Sequence, residues 1–263
     1  MRYFPPMSHA FTLLLTLFSG VLEAASLPDV IDRVRPSVVG VGTAYPPRQP
    51  IGGKPPNSLL GTGFVVGDGR TIVTNSHVLP EVLDSDNKQV LAVFSGRGGD
   101  ARPHVATVLL LDPPHDLALL SIESGPLPAL TLGDSDAVRE GQQVAFTGFP
   151  IGAVLGLYPV THRGMVSSIT PMARPQDNSR QLSAAQLRRL RNLYDVFQLD
   201  AIAYPGNSGS PVYLPDSGQV IGVVNSVFVK ESREALLERP SGISYAIPAS
   251  HVEALLRRAG TAD

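Results

Sequence analysis

Short apolar, β-branched runs alternate along this chain with clusters of Gly, Pro, Asn and Asp, and that alternation limits its fold more than any other feature. A first series of six comprises SVVGVGTA, GTGFVVG, TIVTNSHVL, QVLAVFSG, HVATVLLL and LALLSI. A second six follows in QVAFTGFP, GMVSSI, VFQLDA, SPVYL, VIGVVNSVFV and GISYAIP. Many short strands broken by frequent turn signals point to an all-β barrel or sandwich. The spacer LGDSDAVREGQ, residues 132–142, splits the two series into halves of similar size. Each half suffices for a six-stranded barrel, one over about 36–132 and one over about 140–248.

Two segments depart from the strand pattern. AYPPRQPIGGKPPN, 44–57, carries too much Pro and Gly for a strand and is expected as an exposed loop. SAAQLRRLRNLY, 183–194, opens with a capping box (Ser183, Gln186) and sets Leu187, Leu190, Leu193 and Tyr194 on one helical face. It is expected as a short inserted helix whose Arg188, Arg189 and Arg191, with Arg180, form a basic patch. A terminal helix is expected over about 250–259, with Val252, Leu255 and Leu256 turned inward and Arg257 and Arg258 near its C-terminus.

A chain of 263 residues, 43% hydrophobic and 17% charged, can bury one large core or two modest ones. Its formal net charge of -2 gives no global pull toward nucleic acid, so no nucleic-acid partner is expected. Arg2, the apolar run Phe11–Leu22 and the small residues of EAAS have a secretory signal layout over 1–26. The run is shorter than the ~20 residues a membrane-spanning helix needs. The expectation is an exported protein, periplasmic or secreted, with no stable membrane insertion after cleavage. With no cysteine, neither disulfides nor thiol chemistry arise. His, Asp and Glu show no clustering at metal-ligand spacing, so neither a metal nor a cofactor is expected.

YPGNSGSP, 204–211, holds Ser208 between glycines and closes on proline. Such residues are the common turn formers, so the stretch alone favours a turn. A nucleophilic serine needs a general base, and the base needs a partner that fixes its tautomer. Both are present upstream. His77 ends the β-branched run TIVTNSHVL, and Asp116 precedes the apolar run LALLSI. The order His, Asp, Ser is the chymotrypsin-type order. An α/β-hydrolase would run Ser, acid, His with a G-x-S-x-G elbow, which Ser210 breaks, and no βαβ alternation precedes the serine.

These residues, with the strings LPDVIDRVRPSVVGVGT, GTGFVV, TNSHVL, DLALL, LGDSDAVREGQQVAFTGFP, VTHRGMVSS, QLDAIAYPGNSGSPV, VIGVVNS and GISYAIPASHV in one order, resemble the protease domain of the HtrA/DegP family of trypsin-like serine proteases. The resemblance covers nearly all of 27–263. It implies two perpendicular six-stranded antiparallel barrels with the active site in the cleft between them. It further implies Ser208 as nucleophile, His77 as general base and then acid, Asp116 as orienting carboxylate, and the N–H groups of Gly206 and Ser208 as the oxyanion hole. Ile202, Ala203, Val224 and Asn225 are expected to line an apolar, shallow pocket, giving cleavage of protein or peptide substrates after small or medium apolar residues. Asp200 lies close by in sequence.

Two departures from the family pattern stand out. Ser210 replaces the usual Gly after GNSG, and the chain is expected to lack the PDZ domain that typically follows SYAIPAS. The family's aromatic trimerisation segment is not evident in SLPDVIDRVRPS, which leaves monomer and trimer both open. A latent or non-catalytic, chaperone-like peptide binder on the same scaffold is the alternative function.

Overall fold

The computed structural model describes residues 25–46, 57–151, 156–172, 194–225 and 243–261. The expected inserted helix up to residue 193, most of the Pro-rich loop and nearly all of the signal segment lie outside the described residues.

Each short apolar run contributes a strand, with the tail of VIGVVNSVFV after Asn225 outside the described residues. The first series forms β1 (Val38–Ala44), β2 (Asn57–Val66), β3 (Thr71–Asn75), β4 (Val90–Ser95), β5 (Arg102–Asp112) and β6 (Leu117–Ile122). The second forms β7 (Gln143–Gly148), β8 (Val160–Pro171), β9 (Asp195–Asp200), β10 (Pro211–Tyr213), β11 (Val220–Asn225) and β12 (Ile243–Pro248). Each set closes into a barrel, in the cyclic orders β1-β2-β3-β6-β5-β4 and β10-β11-β12-β9-β8-β7. Counted from its own first strand, the second barrel repeats the connectivity of the first. Closure removes the open edges that would otherwise template aggregation. β-bulges between Val41 and Gly42 and between Val108 and Leu110 bend the longer strands of the first barrel.

Helices flank the barrels. α1 (Leu27–Val34) carries Pro28 and Asp29 in its first turn and buries Val30 and Val34, one helical turn apart. α2 (Ala249–Ala259) buries Val252, Leu255 and Leu256 and stops at Gly260 in the left-handed conformation.

Each barrel has its own apolar filling. Val39, Val41, Val65, Ile72, Val93 and Leu120 belong to the first, and Val144, Phe146, Leu199, Ile221, Val224 and Ala246 to the second. A larger cluster joins the barrels and both helices through Phe64, Val73, Leu117, Phe149, Tyr213 and Val252. Burial of aromatics of this size makes the seam expensive to open, at about 3–5 kcal/mol for truncating one such Phe to Ala. Asp116 and Ser208 lie at that seam, bonded across it to Asn225 and Thr62.

Candidate active site

β3 and β6 pair so that Asn75 faces Leu117. The residues just beyond those paired ends are therefore brought together. His77 sits in a single 3-10 turn, Ser76–Val78, directly after β3. Asp116 ends the turn between β5 and β6 with φ +53°, a left-handed conformation that Asp tolerates better than most residues. His77 Nδ1 and Asp116 Oδ2 lie 2.6 Å apart.

The carboxylate is held from several sides. Oδ1 accepts the His77 main-chain N–H at 3.0 Å and the Ser76 hydroxyl at 2.6 Å. Oδ2 also accepts the Asn225 side-chain amide at 2.7 Å. The Asp116 carbonyl accepts from the Ser76 N–H at 3.1 Å and from Asn75 Nδ2 at 3.0 Å. Burial works against the Asp116 charge, but the His77 ring, the Ser76 hydroxyl and the His77 N–H together hold its carboxyl below the usual carboxylate range. Asp116 is thus an anion aimed at one ring nitrogen of a partly exposed imidazole.

Ser208 lies on the loop between β9 and β10, and its residue is 5% exposed. Each peptide plane around it is fixed by a partner. Pro205 O accepts from the Ile151 N–H at 2.7 Å, which turns the Gly206 N–H to the opposite side of that planar unit. Asn207 O accepts from the Ser210 N–H at 3.0 Å, which turns the Ser208 N–H likewise. Gly206 takes φ +100°, a conformation open to glycine and costly for most other residues. Ser208 O accepts from the Thr62 N–H at 2.9 Å, and the Gly209 N–H donates to Val224 O at 2.9 Å. The loop is thereby tied to β2 in the first barrel and to β11 in its own.

The residues expected in the pocket divide. Ile202 and Ala203 are half-buried on the segment leading to Ser208, where the Ala203 N–H donates to Ser244 Oγ at 2.7 Å. Val224 is fully buried in the core of the second barrel. Asn225 is fully buried too, and its amide reaches Asp116. Neighbours on a strand face opposite sides, so these two cannot line the same pocket wall. Asp200 is exposed at the end of β9.

The other described histidines are engaged elsewhere. His115 bonds Asp112 at 2.9 Å and stacks on His251 with ring centroids 4.1 Å apart. His104 lies between the hydroxyls of Ser95 and Ser124, and His162 stacks on Phe146. Among the described residues no group of three or more His, Asp or Glu has metal-binding geometry. Asn75, Ser76 and Thr62 were not singled out from sequence. Asn75 and Ser76 carried a faint signal, as polar residues directly beside His77 at the end of a β-branched strand.

Twin closed barrels with a His–Asp pair on one and a serine loop on the other are the arrangement of a trypsin-like peptidase domain. The chain belongs to that family: residues 61–223 match the family described as trypsin-like peptidase domain. Among named relatives, a probable periplasmic serine endoprotease DegP-like from Marinomonas sp. (strain MWYL1) is 30% identical over 266 residues, covering 88% of this chain and 49% of the relative. The mitochondrial serine protease HTRA2 of Bos taurus is 33% identical over 233 residues, covering 88% of this chain and 43% of the relative. The chain thus spans about half or less of the length of these relatives. In fold it is similar to the HtrA-type protease AlgW with a tripeptide, at TM-score 0.59, 24% identity and coverage of 89% of this chain and 63% of that one. The same protease with a decapeptide gives TM-score 0.60, again at 24% identity, covering 88% and 66%.

Proposed function

We propose that this chain is an exported serine endopeptidase that hydrolyses peptide bonds in unfolded or extended protein segments. In this reading His77 is the general base, Asp116 its orienting carboxylate and Ser208 the nucleophile, with the Gly206 and Ser208 N–H groups as oxyanion donors. The observation that carries it is the 2.6 Å contact of His77 Nδ1 with an Asp116 carboxylate that also accepts hydrogen bonds from both barrels.

The chemistry follows from those positions. Nδ1–H donation to Asp116 leaves Nε2 as the basic nitrogen of His77. Nε2 takes the Ser208 Oγ proton as Oγ bonds to the scissile carbonyl carbon, and the carbonyl oxygen becomes an oxyanion facing the two N–H donors. The C–N bond then breaks as the imidazolium returns its proton to the leaving amine. Water, deprotonated by the same nitrogen, attacks the acyl-enzyme and releases the acid and free Ser208. Asp116 stays ionised throughout and stabilises the imidazolium.

Half-buried, uncharged Ile202 and Ala203 beside the nucleophile loop support cleavage after small or medium apolar residues. An extended substrate can pair by main-chain bonds with a strand at the cleft and leave selection to the pocket. The AlgW structures with a tripeptide and a decapeptide favour such ligands. Export is supported by the signal layout of 1–26 and by the word periplasmic in the DegP-like names. Among the described residues no helix is long and apolar enough to cross a membrane.

The test is intact mass after fluorophosphonate treatment, with Ser208→Ala and His77→Ala as controls. An adduct on Ser208 that both substitutions abolish is the expected result. A folded chain that takes no adduct would instead favour a peptide binder without turnover.

A further inference from the structure

The Gly-Thr-Gly string at 61–63 has no part in the chemistry above, yet its threonine meets the nucleophile loop with every polar atom but one. Thr62, on β2, is fully buried. Its hydroxyl donates to Gly206 O at 2.7 Å and accepts the Phe149 N–H at 3.0 Å. Its main-chain N–H donates to Ser208 O at 2.9 Å. The remaining atom, Thr62 O, accepts the Thr74 hydroxyl at 2.7 Å, and Thr74 lies on β3, the strand that runs into His77.

We propose that Thr62 is a positioning residue that sets the oxyanion donors and the Ser208 nucleophile against the His77 base. This rests on the endopeptidase reading. The two N–H donors belong to the peptides 205–206 and 207–208. Thr62 holds the carbonyls of the two peptides that follow them, 206–207 and 208–209. The loop therefore cannot shift relative to the first barrel without breaking a Thr62 bond. Its link to Thr74 carries the same reference point to the base, so one residue fixes both reacting partners.

The residue type suits the task. A hydroxyl is the smallest side-chain group that donates and accepts through one atom, which the Gly206 O and Phe149 N–H pair requires. β-branching restricts its χ1, so the hydroxyl direction is set before the loop docks. The fit is close on the loop side as well: a Cβ on Gly209 would meet Thr62 O and, at 2.6 Å, the Thr74 hydroxyl. Thr62→Val would keep the volume and strand the two groups that the hydroxyl serves.

The experiment compares wild type, Thr62→Val and Thr62→Ser. Readouts are kcat and KM on a fluorogenic peptide with Val before the reporter, fluorophosphonate labelling rate, and thermal midpoint. Thr62→Val is expected to lower kcat about 10²-fold, comparable to losing an oxyanion donor, with KM changed less than about twofold. Thr62→Ser is expected to restore most of kcat. Wild-type kcat in folded Thr62→Val, or equal losses in both variants, overturns the proposal. If Thr62→Val does not fold, Thr74→Val, which cuts only the link to the His77 strand, is expected to lower kcat at constant KM; unchanged kcat there overturns it too. A wild type that takes no fluorophosphonate sinks the endopeptidase reading and this proposal with it. A labelled wild type with an unaffected Thr62→Val sinks this proposal alone.

Discussion

Asn225, at the end of β11 in the second barrel, and His77, in the first, share one oxygen of Asp116, at 2.7 and 2.6 Å. The Asp116 carboxylate is thus clamped across the seam by an uncharged donor. Replacing Asn225 with Asp would set two carboxylates within hydrogen-bond reach, and such a pair cannot both ionise near neutrality. We expect Asn225→Asp to lower kcat and to move the acid limb of the pH–rate profile toward higher pH, whereas Asn225→Ser should be milder. An unshifted profile in a folded Asn225→Asp variant would refute this.

Asp116→Asn tests orientation without changing size. Its amide can offer the ring a hydrogen where an acceptor is needed, which favours the wrong imidazole tautomer. A loss of kcat on the order of 10⁴ is expected, as in triads of this type. Stability should respond as well. The Asp116 carboxyl is held below its ordinary range, so its contribution is present above the unfolded-state pKa of 3.8 and is lost as pH falls through the folded value. Denaturant melts at descending pH should show a shallower acid-side loss in Asp116→Asn than in wild type.

Arg258 on α2 reaches the buried Asp112 at 3.2 Å, and Asp112 begins the turn that ends at Asp116. His115 also donates to Asp112. Arg258→Leu would leave that buried carboxylate with one partner fewer. Because the Arg258 side chain is itself half exposed, the expected cost is about 1–2 kcal/mol, below that of a fully buried pair. Arg258→Lys should recover part of it, as read from urea midpoints.

His251 stacks on His115, packs edge-on against Tyr194 and is depressed to about 4 by burial and by His115, against the opposing pull of Asp112 and Asp136. It is therefore neutral when folded, while the unfolded chain takes up a proton near 6.5. Stability should be fully present above about 6.5 and decline as pH falls toward 4. His251→Phe, which keeps a ring on His115, should flatten thermal midpoints across that window. An equally steep decline in the variant would contradict the assignment.

The strands were legible because closed antiparallel barrels need little more than short β-branched runs and turns, and those patterns are local. The His77–Asp116 pair was legible because His77 closes one such run and Asp116 directly precedes another. α1 went unread: eight residues beside a signal-like segment give little periodicity, and only Pro28, Asp29 and the Val30/Val34 spacing mark it. Asn225 was expected in the pocket because its neighbourhood in sequence points there, but strand alternation sends it toward Asp116 while Val224 enters the barrel core. Thr62 was out of reach, since Gly206 and Phe149, the partners of its hydroxyl, lie 144 and 87 positions away. Contacts that long are made by the packing of two barrels and leave no trace in a local pattern.

The duplicated barrel connectivity has a consequence for how this molecule can be taken apart. Each half closes its own sheet, so a chain cut in the stretch between β6 and β7 would yield fragments with complete ladders and no orphaned edge. Neither fragment would hold the whole candidate site, since one keeps His77 and Asp116 and the other Ser208. Chemistry would return only on reassociation through the shared Phe64–Phe149–Tyr213 face. On the proposed endopeptidase reading, activity would thus emerge from the docking, and regain of turnover on mixing would report association of the halves.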